Sequence, residues 1–234
     1  LKSICDKHEL LLFEDNCEAM GSAYNNQYCG GIGVMGSFST FFSHHIQTME
    51  GGLIVCDNEE LYNTLKSLRS HGWTRGTKWY GGDPFEFITM GYNVRPGELH
   101  AAVGLVQLDK FDYFESVRLK NAAAFQEPFG NAKKWRIQHV SDAGSHSWFG
   151  FGLVFNNPDL RDKARDRLVA NNVGVRPIVT GNFTNQPVMA RSGINPNDYP
   201  QSNILDECGL FLGNSPIDLT ADIELVANNL KAVL

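Results

Sequence analysis

Leu10-Leu11-Leu12-Phe13-Glu14-Asp15 is a short continuous apolar run that ends abruptly in two carboxylates, and the fold is read outward from it. A run of that length suits a parallel strand buried on both faces. Residues 1–9 before it read as the end of a helix, with Leu1, Ile4 and Cys5 three and four positions apart. A helix entering a central strand directly implies earlier βα units, so the chain reads as the C-terminal portion of a larger protein.

Downstream, a Gly-rich connection from Gly21 to Gly36 leads to a predicted strand over Met35–Phe42, and Gly51-Gly52 to a second buried strand over Leu53–Cys56. Asp57-Asn58 caps a helix from Glu59 to Arg69. Residues 71–96, rich in glycine, proline and aromatic residues without a period, read as a long loop of the kind that carries function or is disordered. A bent helical pattern then runs from Gly97 to about Phe129. Beyond it strand and helix alternate: strands over Trp135–Val140, Trp148–Phe155, Val175–Val179 and Leu210–Leu212, helices over Pro158–Asn171, Ser202–Cys208 and Ala221–Val233. The class is α/β, with a large, mostly parallel domain lacking its N-terminal part (1–115) and a small C-terminal α/β domain (116–234).

The composition narrows the partners. Twenty Lys+Arg against 26 Asp+Glu, a net charge of −6, argue against a nucleic-acid footprint, which needs a basic face. No apolar stretch is long enough to span a bilayer, and no basic, then apolar, leader pattern opens the chain. Five scattered cysteines are odd in number and read as reduced thiols, so a cytoplasmic protein is expected.

Two stretches hold the candidate chemistry. Open α/β sheets bind ligands beyond the carboxyl ends of their strands, and Asp15 stands at such an end with Glu18 three residues on. Taken alone, these acids also suit a helix cap or a solvated loop. In Gly36–Gly52, GSFSTFFSHHIQTMEGG, small hydroxyl residues precede His44-His45 and a Gly-Gly pair, a pattern able to hold a phosphate and present an imidazole. Adjacent histidines diverge too far to share one ion, and no carboxylate or thiol stands nearby at ligand spacing, so no metal is expected.

FEDNCEAMGS (13–22), GSFSTFFSHHIQTMEGG (36–52), LRSHGWTR (68–75) and GYNVRPGELHAAVGLVQL (91–108) together resemble the sugar-nucleotide aminotransferase and dehydratase group of fold-type I pyridoxal-phosphate enzymes. SWFGFGLVF, RPIVTGNF and GLFLGN continue the resemblance through the second half. In that group a Schiff-base lysine lies six residues before the Glu of EGG. Counting back from Glu50, that position is His44. A histidine there marks the 3-dehydratase branch, and the match is nearest to enzymes acting on GDP-4-keto-6-deoxy-mannose.

The resemblance implies pyridoxal 5′-phosphate or pyridoxamine 5′-phosphate held non-covalently, since imidazole forms no imine with the cofactor aldehyde. His44 would shuttle protons near neutral pH while the C3 hydroxyl of a nucleotide-linked 4-keto-6-deoxy sugar is removed. L-glutamate would restore the cofactor. Asp15 would pair with the pyridine nitrogen, Glu18 would lie by the ring hydroxyl, and Ser39 would contact the phosphate. Asn93 would reach the phosphate of a neighbouring subunit, implying a homodimer with a shared site. His71 and Arg75 would bind glutamate or sugar, with Arg95 and Arg176 as further anion-binding candidates, and His45 is read as structural.

Three other readings stay open. A lysine-dependent aminotransferase is opposed by His44, since Lys66 and Lys78 fall outside the motif. A related 3-dehydrase carrying an iron–sulfur cluster would need about four gathered thiolates, which the cysteine spacing does not offer. A non-catalytic binding protein is opposed by Asp15, Ser39, Asn93 and His44 standing together.

Overall fold

The structure is a computed structural model and describes residues 1–233. In chain order its elements are α1 (Lys2–Lys7), β1 (Phe13–Asp15), β2 (Ala23–Tyr24), β3 (Gln27–Tyr28), β4 (Met35–Ser39), β5 (Gly52–Val55), α2 (Glu59–Leu68) and α3 (Glu98–Leu108). There follow α4 (Phe111–Phe129), β6 (Trp135–Ile137), β7 (Gly144–Ser145), β8 (Gly150–Phe155), α5 (Pro158–Ala170), α6 (Pro200–Cys208), β9 (Gly209–Gly213) and α7 (Thr220–Val233). The chain divides into two compact units, one of residues 1–111 with 142–146, the other of residues 112–141 with 147 onward.

In the first unit, β1 pairs in parallel with β4, and β4 pairs antiparallel with β5. β1 begins three residues later than the apolar run suggests. Helix α1 unwinds through Glu9 at φ 53°, and the Leu10 N–H closes on Cys5 O at 2.8 Å, which uses up the start of the run. Sheet bonding starts only where Leu12 O accepts from Val34 N at 2.8 Å. The expectation of two buried strands is corrected as well. Leu10, Leu11, Phe13, Leu53, Ile54 and Val55 are all exposed, and β1 and β5 form the two edges of this three-stranded sheet, β5 running antiparallel. A small second sheet joins β2 to β3 and to β7.

The expected loop at 71–96 is ordered by backbone pairing. His71 N donates to Tyr92 O at 2.8 Å, Ile88 N to Gly72 O at 3.0 Å, and Thr74 N to Glu86 O at 3.1 Å, so the segment folds back on itself at the end of α2. Gly72 at φ 90° makes this approach possible, since a Cβ there would lie 1.7 Å from Thr89 O. The helical pattern after Gly97 is two helices rather than one bent one. They part at Asp109-Lys110, where the Lys110 N–H bonds three residues back, to Gln107 O.

The second unit holds the apolar core. Its antiparallel sheet runs β6-β8-β9, and Phe125 of α4 stacks on Phe129 at 4.5 Å and on Phe151 of β8 at 4.3 Å. Leu168 of α5 and Leu230 of α7 are fully buried in the same cluster. The strand expected over Val175–Val179 is absent. Arg176 makes one bridge to Phe211, and Pro177, which has no N–H, stops the ladder there. β8 starts at Gly150 and not at Trp148, whose φ of 50° is incompatible with a strand.

A buried polar hub ties α4 to the turn after β9. Asn121, fully buried, donates to Asn214 Oδ1 at 3.0 Å, Ser215 O at 3.1 Å and Ile217 O at 2.8 Å, and accepts from Leu219 N at 3.0 Å. Arg118 donates to Asn214 O at 2.6 Å, and burial pulls its guanidinium pKa down to about 10. Replacing Asn121 with Leu strands several buried backbone groups at once. The expected cost is about 3 kcal/mol, read as a lower urea midpoint at unchanged slope. Lys120→Met, which removes only the exposed ion pair to Asp218, should leave that midpoint almost unmoved.

Candidate active site

Parallel pairing of β1 with β4 sets Asp15, at the carboxyl end of β1, opposite Ser37, two residues before the end of β4. Because strand side chains alternate, Ser39 lies on the same face as Ser37, one step further along β4. The chain then enters a loop closed at its neck by the two buried threonines Thr40 and Thr48. Their hydroxyls meet at 2.7 Å, and Thr48 N donates to Thr40 O at 2.7 Å. His44 sits in this loop, half-buried, with its Nδ1 3.3 Å from Ser39 Oγ and its ring edge-on to Phe41. Ser39 Oγ also accepts from the Phe41 N–H at 3.1 Å, which fixes the hydroxyl between strand end and imidazole. The structure thus brings Asp15, Ser39 and His44 to one strand edge.

Asp15 is exposed, and its Oδ1 accepts from the Cys17 N–H at 3.1 Å. The Cys17 side chain, then this amide, the Ser37 hydroxyl and the positive charge His44 can carry hold the Asp15 carboxyl below its ordinary value of 3.8. The Cys17 thiol moves the other way, raised by burial and by the neighbouring carboxylate. Cys17 and Ser37 were not singled out in the sequence. The available signal was the two-residue offset, Cys17 after Asp15 and Ser37 before Ser39, and it acquires meaning only with the β1–β4 register. Glu18 is exposed in the turn that follows β1.

The other candidates lie elsewhere. Ser70 and Asn93 form a bridge that places His71 beside the Asn93 strand of the folded-back loop. The His71 ring meets Trp73 edge-on, Arg75 lies 5.6 Å over that indole, and Trp73 stacks on Phe87. Arg75, Asn93 and Arg95 are exposed. Arg176, in the second unit, lies 4.5 Å over the Phe211 ring. His45 is buried. Lys66 rests over the Tyr62 ring of α2, and Lys78 is paired with Glu60. All five cysteines are free thiols, and among the described residues no three His, Cys, Asp or Glu side chains gather as a metal would require. No helix among them is long and apolar enough to cross a membrane.

The sequence model of the DegT/DnrJ/EryC1/StrS aminotransferase family matches residues 1–231. The chain belongs to that family. Its fold is the fold-type I pyridoxal-phosphate enzyme fold, as expected from the motifs. Among DegT/DnrJ/EryC1/StrS relatives, GDP-4-keto-6-deoxy-D-mannose 3-dehydratase of Yersinia pseudotuberculosis is 40% identical over 246 residues, 99% of this chain and 62% of that protein. The solved E. coli GDP-4-keto-6-deoxy-D-mannose-3-dehydratase with bound hydrated PLP superposes with a TM-score of 0.90 at 38% identity, covering 98% of this chain and 62% of the other. A structure of GDP-4-keto-6-deoxymannose-3-dehydratase with a trapped PLP-glutamate geminal diamine gives 0.89 at 37% identity, covering 98% and 63%. The chain therefore spans a little over three fifths of the length of these relatives.

A carboxyl whose folded value is depressed adds stability above its unfolded value and loses it as pH falls through the folded one. Asp15 is thus expected to titrate below 3.8 by carbon-13 NMR, and Cys17→Ala to move its midpoint back up toward that value. An unchanged midpoint in Cys17→Ala would remove the thiol as the chief cause.

Proposed function

We propose that this chain carries the catalytic histidine of a pyridoxamine-phosphate-dependent sugar-nucleotide 3-dehydratase acting on a GDP-linked 4-keto-6-deoxy-mannose. The observation that carries the reading is His44, standing at the family's lysine position and seated beside Ser39 at the strand edge that bears Asp15. The names of these relatives support the substrate class.

The residues fit the cofactor. An ionised, exposed carboxylate at a strand end suits a pyridinium nitrogen, a strand-end hydroxyl suits a phosphate, and a histidine avoids covalent capture. When bound, the cofactor supplies the amine that meets the C4 ketone and the electron sink that lets the C3 substituent leave. Asp15 holds the proton on the ring nitrogen, and Glu18 lies by the ring hydroxyl. Ser39 binds the phosphate and steadies the imidazole. His44 takes a proton at the cofactor C4′ carbon and returns one to the departing C3 oxygen, which leaves as water. Water would hydrolyse the sugar's C4 imine to the ketone and release ammonia, and L-glutamate would supply the next amine and leave as its 2-oxo acid. His71 and Arg75 receive glutamate or sugar, with Arg95 and Arg176 as further anion contacts. Asn93 completes the phosphate site of a second copy in a homodimer, and the enzyme works in the cytoplasm.

His44→Asn is expected to slow loss of the C3 hydroxyl by about 10²–10⁴-fold while cofactor binding is kept, as followed by product formation and by cofactor absorbance. Wild-type dehydration in this variant would defeat the assignment. His44→Lys should yield a borohydride-trappable adduct on residue 44.

The shared site has its own test. Mixing His44→Asn chains with Asn93→Ala chains should restore one working site per mixed dimer. No recovery on mixing, or full activity as a monomer, would contradict it.

A further inference from the structure

We infer that Glu14 is a positioning residue that presets Asp15 before any cofactor arrives. Only the role of Asp15 at the ring nitrogen rests on the function proposed above; the placement does not. Alternation along β1 sends Glu14 to the face opposite Asp15, and Glu14 is half-buried where Phe13 and Asp15 are exposed. There its two carboxylate oxygens receive three backbone N–H groups. Oε2 accepts from Gly30 at 2.8 Å, and Oε1 from Ile32 at 2.8 Å and Gly33 at 2.6 Å. Among the described residues no cation pairs with Glu14, and the protein groups that meet its carboxylate are these peptide dipoles.

Those amides belong to the turn that feeds β4, and the turn is pressed against the sheet. Gly36 is the residue opposite Glu14 in register, and a Cβ on it would lie 2.4 Å from the Gly30 Cα. A Cβ on Gly33 would lie 2.3 Å from Leu12 O. The carboxylate therefore joins the end of β1 to the start of β4 from beneath. Asn16, on the other side of Asp15, is fixed in turn: buried, its N–H donates to Ser37 O at 2.8 Å and its Nδ2 to Glu14 O at 3.2 Å. With both neighbours held, the Asp15 backbone cannot pivot, and the Cys17 amide holds its side chain. This is a site positioned by its supporting groups. The clamp needs a carboxylate. Glutamine brings one acceptor oxygen, and its NH₂ would face an N–H donor.

The test separates placement from general loosening. In the cofactor-free protein, Glu14→Gln is expected to speed hydrogen exchange at the Cys17 amide by about tenfold or more, with exchange at the Thr40 amide, bonded to Gly51 O, unchanged. Cys17 exchange within about threefold of wild type, or a parallel rise at Thr40, would overturn the proposal. In the full protein loaded with ring-nitrogen-15 pyridoxal phosphate, Glu14→Gln should move the nitrogen resonance toward the unprotonated position, in the direction that Asp15→Asn moves it. A resonance that moves in Asp15→Asn but stays in place in Glu14→Gln also counts against the clamp. If Asp15→Asn itself leaves the resonance in place while Cys17 loses protection in Glu14→Gln, the clamp stands and the proposed role of Asp15 falls.

Discussion

The first unit depends on one carboxylate. With Glu14 taking the amides of Gly30, Ile32 and Gly33, the connection after β1 is held against that strand, and β4 runs parallel beside it. From that pairing the rest follows in order. Asp15 faces Ser37, Ser39 lies one repeat further along, and the Thr40–Thr48 neck returns the chain with His44 over the strand end. Large apolar side chains contribute little here. The buried residues of this unit are mainly small or polar, and Asn16, Thr48, Asn63 and Thr74 hold its geometry by side-chain hydrogen bonds to backbone.

The second unit is built on the opposite principle. Stacked rings of Phe125, Phe129 and Phe151 fill the space between α4 and the sheet, and burial of such side chains is the main favourable term in folding. The polar exceptions are Arg118, Asn121 and Asn214. A buried amide or guanidinium is costly unless it is hydrogen-bonded. Here Asn121, Asn214 and one terminal nitrogen of Arg118 bond to the turn after β9 and the segment before β8, while Arg118 Nε is left without a partner among the described residues.

The chemistry proposed for the site turns on the difference between an amine and an imidazole. A lysine would capture the cofactor between turnovers. A histidine cannot, yet it titrates in the range where a proton can be both taken and returned. In that proposal Ser39, in contact with Nδ1 at 3.3 Å, would steady the imidazole, because the partner of one ring nitrogen sets the tautomer and so what the other can do.

The fold class was legible in the alternation of strand and helix and the family in the resemblance of its motifs, and the sequence also offered Asp15, Ser39 and His44, which the structure gathers at one strand end. Capping was legible too, as Asn58 and Asn157 show at α2 and α5. Strand limits were not. The late start of β1 is set by how α1 unwinds, and the missing strand at Val175–Val179 by a proline whose effect depends on which neighbour it would have to bond. The roles of Glu14, Ser37 and Cys17 were likewise hidden, since a residue's partner across a parallel pair is a matter of register, and neither strand's sequence specifies register alone. Local propensity and side-chain chemistry are properties of neighbours along the chain. Which carboxylate turns under the sheet and which stays exposed on the opposite face is decided only when β1 and β4 lie side by side, because one step along a strand reverses the face.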